Sequence, residues 1–310
     1  MVNKPNTYSQ FQQIFESLYQ PLPRLTASKA CHLRQTLLDK FQAFQASHKD
    51  ILPDNLHHRL NIISSIDPRS WKDNPDYYIV ELVTSLAILS TLGNITIWLV
   101  RYLFANPDVL AKIKSEVQIL LNSSKHGDKP TAMINLSAIR HSSPHLLSSW
   151  YETLRLHMTG VPREAVRDFR LHSGKTIQKG DIIFLLMAES NRDPQLWEDP
   201  ERFIPDRFIG RDGKVVTALT RKVKTFGVAG NLCPGRHHAF GVVMAVVVSL
   251  LVTVDVSVCG EGGGWPEPVV GSSVSGGGFD RCDGDEVRVK VGKRERWRER
   301  RLLFEFEGGL

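Results

Sequence analysis

Cysteine is scarce in this 310-residue chain: there are only four, Cys31, Cys233, Cys259 and Cys282. Their spacing matches neither a disulfide framework nor a Cys-x-x-Cys zinc site, so a reducing compartment is the natural setting. No cleavable signal peptide is visible either, since this sequence stays polar through Gln13. No internal repeat is evident. No charge of one sign dominates either: 39 Lys and Arg face 33 Asp and Glu, for a net +6. That balance does not call for nucleic acid as a partner. Much of the excess lies in Lys290 to Arg301, a run whose usual reading is a solvated or disordered face. What remains is ordinary for a soluble globular chain, at 42% hydrophobic and 23% charged residues. The length allows one large domain or two small ones.

One long hydrophobic run is present. Leu82 to Val100 carries no charge, and its nineteen residues are long enough to span a bilayer. Its interior holds Thr84, Ser85, Ser90, Thr91, Gly93, Asn94 and Thr96, a poor lipid-facing surface. A buried central helix is the better account, since a helix apolar all round belongs inside a large protein. A reading as a small membrane protein, with this run and the shorter one ending at Val254 as spans, remains as the alternative. Before it, Phe11 to Leu18 and Ala30 to Phe44 have helical periodicity.

Further along, Leu146, Leu147, Trp150, Leu154 and Met158 fall at helical spacing and enclose Glu152-Thr153-Leu154-Arg155. Glu152 and Arg155 at i,i+3 share one helix face, so carboxylate and guanidinium can pair. From Gly160 to Phe184, apolar runs alternate with Gly-containing turns, which predicts short strands and hairpins.

Cys233 lies in Phe226-Gly227-Val228-Ala229-Gly230-Asn231-Leu232-Cys233-Pro234-Gly235-Arg236, directly before the apolar run Phe240 to Val254. If that run is helical, the sulfur sits at a helix N-terminus, where unpaired N–H groups and the macrodipole favour negative charge. Such surroundings favour the thiolate, the form that binds metal. Gly227 and Gly230 let the backbone approach a flat ligand closely. Cys-Pro-Gly alone is better read as a buried structural thiol beside a turn.

The full stretch, with Phe seven positions before the cysteine and Gly-Arg after it, resembles the haem-ligand loop of the cytochrome P-450 monooxygenases. Pro234-Gly235-Arg236-His237 looks most like the branch of sterol 7-alpha-hydroxylase and prostacyclin synthase. One departure stands out: the family usually has glycine where this chain has Ala229. The resemblance implies haem b held by the Cys233 thiolate, with Phe226, Gly227 and Gly235 shaping the loop. Asp199-Pro200-Glu201-Arg202-Phe203 resembles the family's Pro-Glu-Arg-Phe segment, which implies that Arg202 joins Glu152 and Arg155 in a buried network. A planar, always-charged guanidinium suits such a crosslink. Thr159 and Val161 match the family's substrate-lining turn. Arg163 and Arg236 are candidates for haem propionate contacts; each also reads as a plain surface charge. The run from Leu82 resembles the distal helix, aligned by Trp98 and Asn106-Pro107. On that register Ala87 lines the substrate cleft, with Ile88 beside it, Ser90 replaces the usual acid or amide, and Thr91 falls on the catalytic alcohol. Thr91 also suits simple helix packing.

These readings together predict a mainly α fold with small β-sheets, equivalent to the haem-binding C-terminal half of a cytochrome P-450. Residues 1-75 read as a remnant of substrate-roof helices and linker, and residues 76-258 as the haem-binding core. Residues 259-310 read as a Gly-rich tail in which Val287 to Val291 alternates like a strand and Glu295 to Leu310 has no counterpart. The implied function is a haem-thiolate monooxygenase acting on a small apolar substrate, by branch a sterol or another lipid. Electrons would come from an NADPH-dependent reductase, an acidic donor suiting the basic surface. The resemblance points to the endoplasmic reticulum membrane surface, although the usual anchor is not seen in this chain. The alternative within the same family is a truncated, catalytically inactive remnant that binds haem without turnover.

Overall fold

The computed structural model describes residues 7–14, 17–18, 22–48, 58, 61–62, 65, 75–126, 129–227, 232–259, 269–274, 280–283 and 288–306. Helices dominate, and the strands form small sheets of two or three. The chain divides into two compact units, residues 1–91 and 92–310.

In the first unit the predicted helix over Ala30 to Phe44 lies within Ser28–His48, while the one predicted over Phe11 to Leu18 begins earlier, as Thr7–Ile14, and shares only residues 11–14 with it; Pro75–Leu86 follows. Phe11, Leu37 and Leu82 make its small core, each nearly fully buried. The Tyr8 hydroxyl donates to the Ser85 carbonyl at 3.1 Å, and burial raises its pKa above the usual tyrosine value. Ala87–Thr91 then forms a π-helical turn, a widened geometry that local patterning does not announce.

In the second unit, helices Leu92–Ala105, Pro107–Leu120, Pro144–His157 and Arg236–Thr253 surround one apolar core. Pro107 and Pro144 each stand at a helix start, where the missing N–H costs no hydrogen bond and φ is already helical. Ile113, Val117, Leu146, Leu154, Val243 and Val248 are almost fully buried in that core. The last of these helices ends at Thr253, and the chain continues straight into strand Val254–Val258.

The expectation of a helix buried all round from Leu82 to Val100 is corrected. Leu82, Ile95, Trp98 and Leu99 are buried, while Val83, Leu89 and Ile97 are exposed. Within 92–105, Ile95, Trp98, Leu99, Arg101 and Leu103 are buried, while Gly93 and Ile97 are exposed, so the helix is not enclosed on every side. By length and composition alone, Tyr77–Ala105 and Arg236–Thr253 are both long and apolar enough to cross a membrane.

The tail is ordered where it is described. Val289–Lys293 pairs antiparallel with Val254–Val258, two residues past the predicted start, and Val287 lies outside the described residues. Trp297, in a 3₁₀ turn, is 1% exposed and belongs to the main core. Arg301–Glu305 adds to strand Lys129–Asn135 in parallel. The basic run is therefore folded, because Trp297 supplies the apolar anchor and Arg294 is held by Asp255 Oδ1 at 2.9 Å and the Val252 carbonyl at 3.1 Å.

Candidate cofactor-binding site

Two structures meet here: a buried ion network and the cysteine loop. Glu152 and Arg155 lie on the Pro144–His157 helix with no exposed side-chain surface. Arg155 grips the carboxylate with two parallel bonds, Nε to Oε2 at 2.8 Å and Nη2 to Oε1 at 2.9 Å. The fork geometry of the guanidinium is what permits this bidentate pairing. Its Nη1 donates to the carbonyls of Asn191 and Pro200, both at 2.7 Å.

The third member of the network is Arg207, which corrects the assignment of Arg202. The Arg202 side chain is 77% exposed, with only a 3.9 Å contact to Asp199. Its contribution comes through the backbone, where its carbonyl accepts from Arg155 Nη2 at 3.3 Å and Arg207 Nη2 at 3.2 Å. Arg207 instead places Nε 2.8 Å from Glu152 Oε1, which also accepts the Ile204 N–H at 3.0 Å. Its Nη1 reaches the Glu198 carbonyl and its Nη2 that of Asp199 at 3.0 Å. The signal existed in the sequence, since Pro-x-Arg-Phe occurs twice, at Pro200 and again at Pro205. The turn around Asp199, which takes φ +43°, presents the carbonyls of Glu198, Asp199 and Arg202 to the second arginine.

A single asparagine ties this network to the cysteine loop. Asn191 is fully buried, and its side-chain amide bonds both backbone groups of Lys224: Nδ2 to the carbonyl at 2.8 Å, and Oδ1 from the N–H at 2.7 Å. Periodicity and motif reading gave no hint of it.

Two residues on, the loop turns. Phe226 adopts φ +53° and Gly227 φ +91°, left-handed conformations that a phenylalanine rarely takes. The Cys233 N–H returns to the Phe226 carbonyl at 2.6 Å and closes the loop. Val228, Ala229, Gly230 and Asn231 lie outside the described residues. Cys233 itself is exposed, and a Cβ built on Gly235 would stand 3.7 Å from its sulfur. The helix begins at Arg236, whose Nη1 donates to the Cys233 carbonyl at 3.1 Å. The sulfur is thus beside a helix N-terminus, as the spacing predicts.

The other candidates fall as follows. Thr159 precedes strand Gly160–Glu164, which contains Val161 and Arg163 and pairs antiparallel with Ile182–Leu186. A side chain at Gly160 would strike the Leu185 carbonyl oxygen, so only glycine fits that crossing. Val161 is half-buried; Arg163 is exposed and bonds the Pro162 carbonyl at 2.9 Å. The Thr159 hydroxyl oxygen is buried and has no hydrogen-bond partner among the described residues. Ala87 and Thr91 lie in the π-helical turn of the first unit, and the Ser90 side chain lies outside the described residues.

The donor set suits a metal that brings its own ligands. Among the described residues no group of three or more His, Cys, Asp and Glu is placed to hold an ion. A bare zinc or similar ion needs several protein donors. One open cysteine sulfur instead matches axial ligation of a haem iron, whose equatorial ligands come from the porphyrin.

Comparison with known proteins points the same way. A family model, Cytochrome P450, matches residues 3–269. Cytochrome P450 81F4 of Arabidopsis thaliana is 26% identical over 81% of this chain and 47% of its own length. Human Cytochrome P450 1A1 is 26% identical over 77% of this chain and 47% of its own. Cytochrome P450 1A2 of Pongo abelii is 31% identical over 77% of this chain and 46% of its own. The chain therefore spans about half the length of these relatives, which do not single out the sterol-hydroxylase branch.

Proposed function

Because this chain belongs to the cytochrome P450 family, we propose that it is the haem-binding part of a haem-thiolate monooxygenase, with Cys233 as axial ligand of haem b. The family implies a haem-iron cofactor and generally takes electrons from a reductase. The observation that carries the reading is the loop itself: an exposed sulfur held between the Cys233–Phe226 backbone bond and a helix starting at Arg236. The reading is supported by the place of the cysteine directly before the helix that begins at Arg236, since a helix N-terminus is a favourable position for negative charge. A thiolate-ligated haem supplies, when bound, the activation of O2 for insertion of one oxygen atom into an apolar substrate.

This chain's own residues have distinct tasks in the proposal. Glu152, Arg155 and Arg207 hold the segments behind the loop. Phe226, Gly227 and Gly235 shape the ligand face, and Gly227 and Gly235 leave room for a flat ring. Arg236, tied to the Cys233 carbonyl, and exposed Arg163 offer guanidinium groups to the propionates. Thr159 and Val161 line the substrate side. Ala87, Ser90 and Thr91 share a widened helical turn, a feature frequent at functional sites; the Thr91 hydroxyl relays a proton there, with Ser90 beside it. An NADPH-dependent reductase is the proposed electron donor. A sterol or other lipid substrate rests on Pro234-Gly235-Arg236-His237 alone.

The test is spectroscopic. Reduced, carbon-monoxide-treated protein reconstituted with haem should show the strongly red-shifted Soret band of thiolate ligation, and Cys233→Ala should abolish it. Failure to take up haem, or an unchanged band in the alanine variant, overturns the assignment. A thiolate band without NADPH-driven product would support the non-catalytic remnant instead.

A further inference from the structure

We propose that Asn191 is the positioning residue that transmits the geometry of the Glu152–Arg155–Arg207 network to the cysteine loop. Its functional meaning rests on Cys233 being the haem ligand; its structural content does not.

Asn191 ends the short helix Met187–Asn191, and it faces two ways. Its carbonyl accepts Arg155 Nη1 at 2.7 Å, which fixes the backbone of residue 191 to the buried network. Its side-chain amide meets both backbone groups of Lys224, as a neighbouring strand would, at 2.8 and 2.7 Å. Lys224 is two residues before Phe226, where the chain enters its left-handed turn and receives the Cys233 N–H. The path from carboxylate to sulfur is therefore Glu152, Arg155, Asn191, Lys224, Phe226, Cys233, with hydrogen bonds at every step except the short covalent run from 224 to 226.

The segment carrying Asn191 is itself pinned. Ala188 N–H donates to the Thr159 carbonyl at 3.0 Å, Trp197 Nε1 to the Ser190 carbonyl at 3.2 Å, and Arg192 Nη2 to the Leu156 carbonyl at 2.5 Å. Residue 191 thus behaves as a rigid post. Only a side-chain amide carries a donor and an acceptor side by side at this reach. Aspartate keeps the acceptor but sets an oxygen against the Lys224 carbonyl; leucine keeps the size and neither bond. Neither substitution touches the backbone carbonyl that Arg155 uses, so the network and the loop can be separated by experiment.

Hydrogen exchange of the haem-free protein gives the first readout. Asn191→Leu should accelerate exchange in peptides covering 222–233 by about tenfold to a hundredfold, the loss of two part-buried hydrogen bonds. Peptides from the Pro144–His157 helix should keep their wild-type rates. Asn191→Asp, should the leucine variant fail to fold, should show the same local pattern. Wild-type rates across 222–233, or acceleration shared by every peptide in both variants, overturns the proposal. The second readout is the Soret band after haem loading. Asn191→Leu should take up haem while a smaller fraction shows thiolate ligation, and Asn191→Gln should recover part of that fraction. Should wild-type protein show no thiolate band, the Cys233 reading fails while the exchange data still decide the role of Asn191.

Discussion

Replacing Arg207 by alanine removes one of the two guanidinium groups bonded to a carboxylate that has no exposed surface. Breaking a buried pair by deleting one partner costs about 3–5 kcal/mol, because the remaining charge loses its compensation. Here Arg155 and the Ile204 N–H still serve Glu152, so the low end, about 3 kcal/mol, is expected. Three backbone carbonyls, of Glu198, Asp199 and Arg202, lose donors as well. For a domain of this size that lowers Tm by about 6–12 °C. Arg202→Ala is the control, with a side chain 77% exposed and a 3.9 Å contact. An exposed pair is worth about 0–1 kcal/mol, so its Tm should move by about 4 °C at most. Arg207→Lys keeps a charge but not the fork and should fall between the two. Thermal melts followed by far-ultraviolet circular dichroism decide the matter. A larger loss for Arg202→Ala than for Arg207→Ala would refute the reasoning.

Two further outcomes test other parts of the chain. Trp297→Ala should destabilise by about 3–5 kcal/mol in urea unfolding, since a 1%-exposed indole leaves a large cavity; a neutral effect would show that the basic tail is not part of the core. The raised Tyr8 pKa means the folded first unit holds that proton more tightly than the unfolded chain. Stability from this source is complete below the ordinary tyrosine value and is lost as pH rises through the folded one. Tyr8→Phe should therefore flatten the alkaline limb of stability, measured by urea unfolding across pH 9–11 (about the tyrosine range), at the expense of the bond to Ser85. An unchanged limb would remove Tyr8 as its source.

Much of this protein was legible in one dimension. Helix positions follow in part from apolar spacing, and the Glu-x-x-Arg and cysteine stretches carry their chemistry in short segments. Those are local properties, set by residues a few positions apart. The long apolar helix shows where that ends. Composition says how much apolar surface a helix has, but the neighbours that pack against it decide which face is buried. The π-helical turn at Ala87–Thr91 is equally silent in the pattern.

Residue types and short-range order alone determined the family, the mainly helical class, the helix bearing Glu152 and Arg155, and the cysteine placed before a helix. Tertiary structure alone chose between two segments of the same Pro-x-Arg-Phe pattern, selected Asn191 as the bridge to Lys224, and drew Trp297 into the core. The reason is physical: a buried charge or amide is stabilised by partners far away along the chain, and only the folded backbone brings those partners within hydrogen-bond distance.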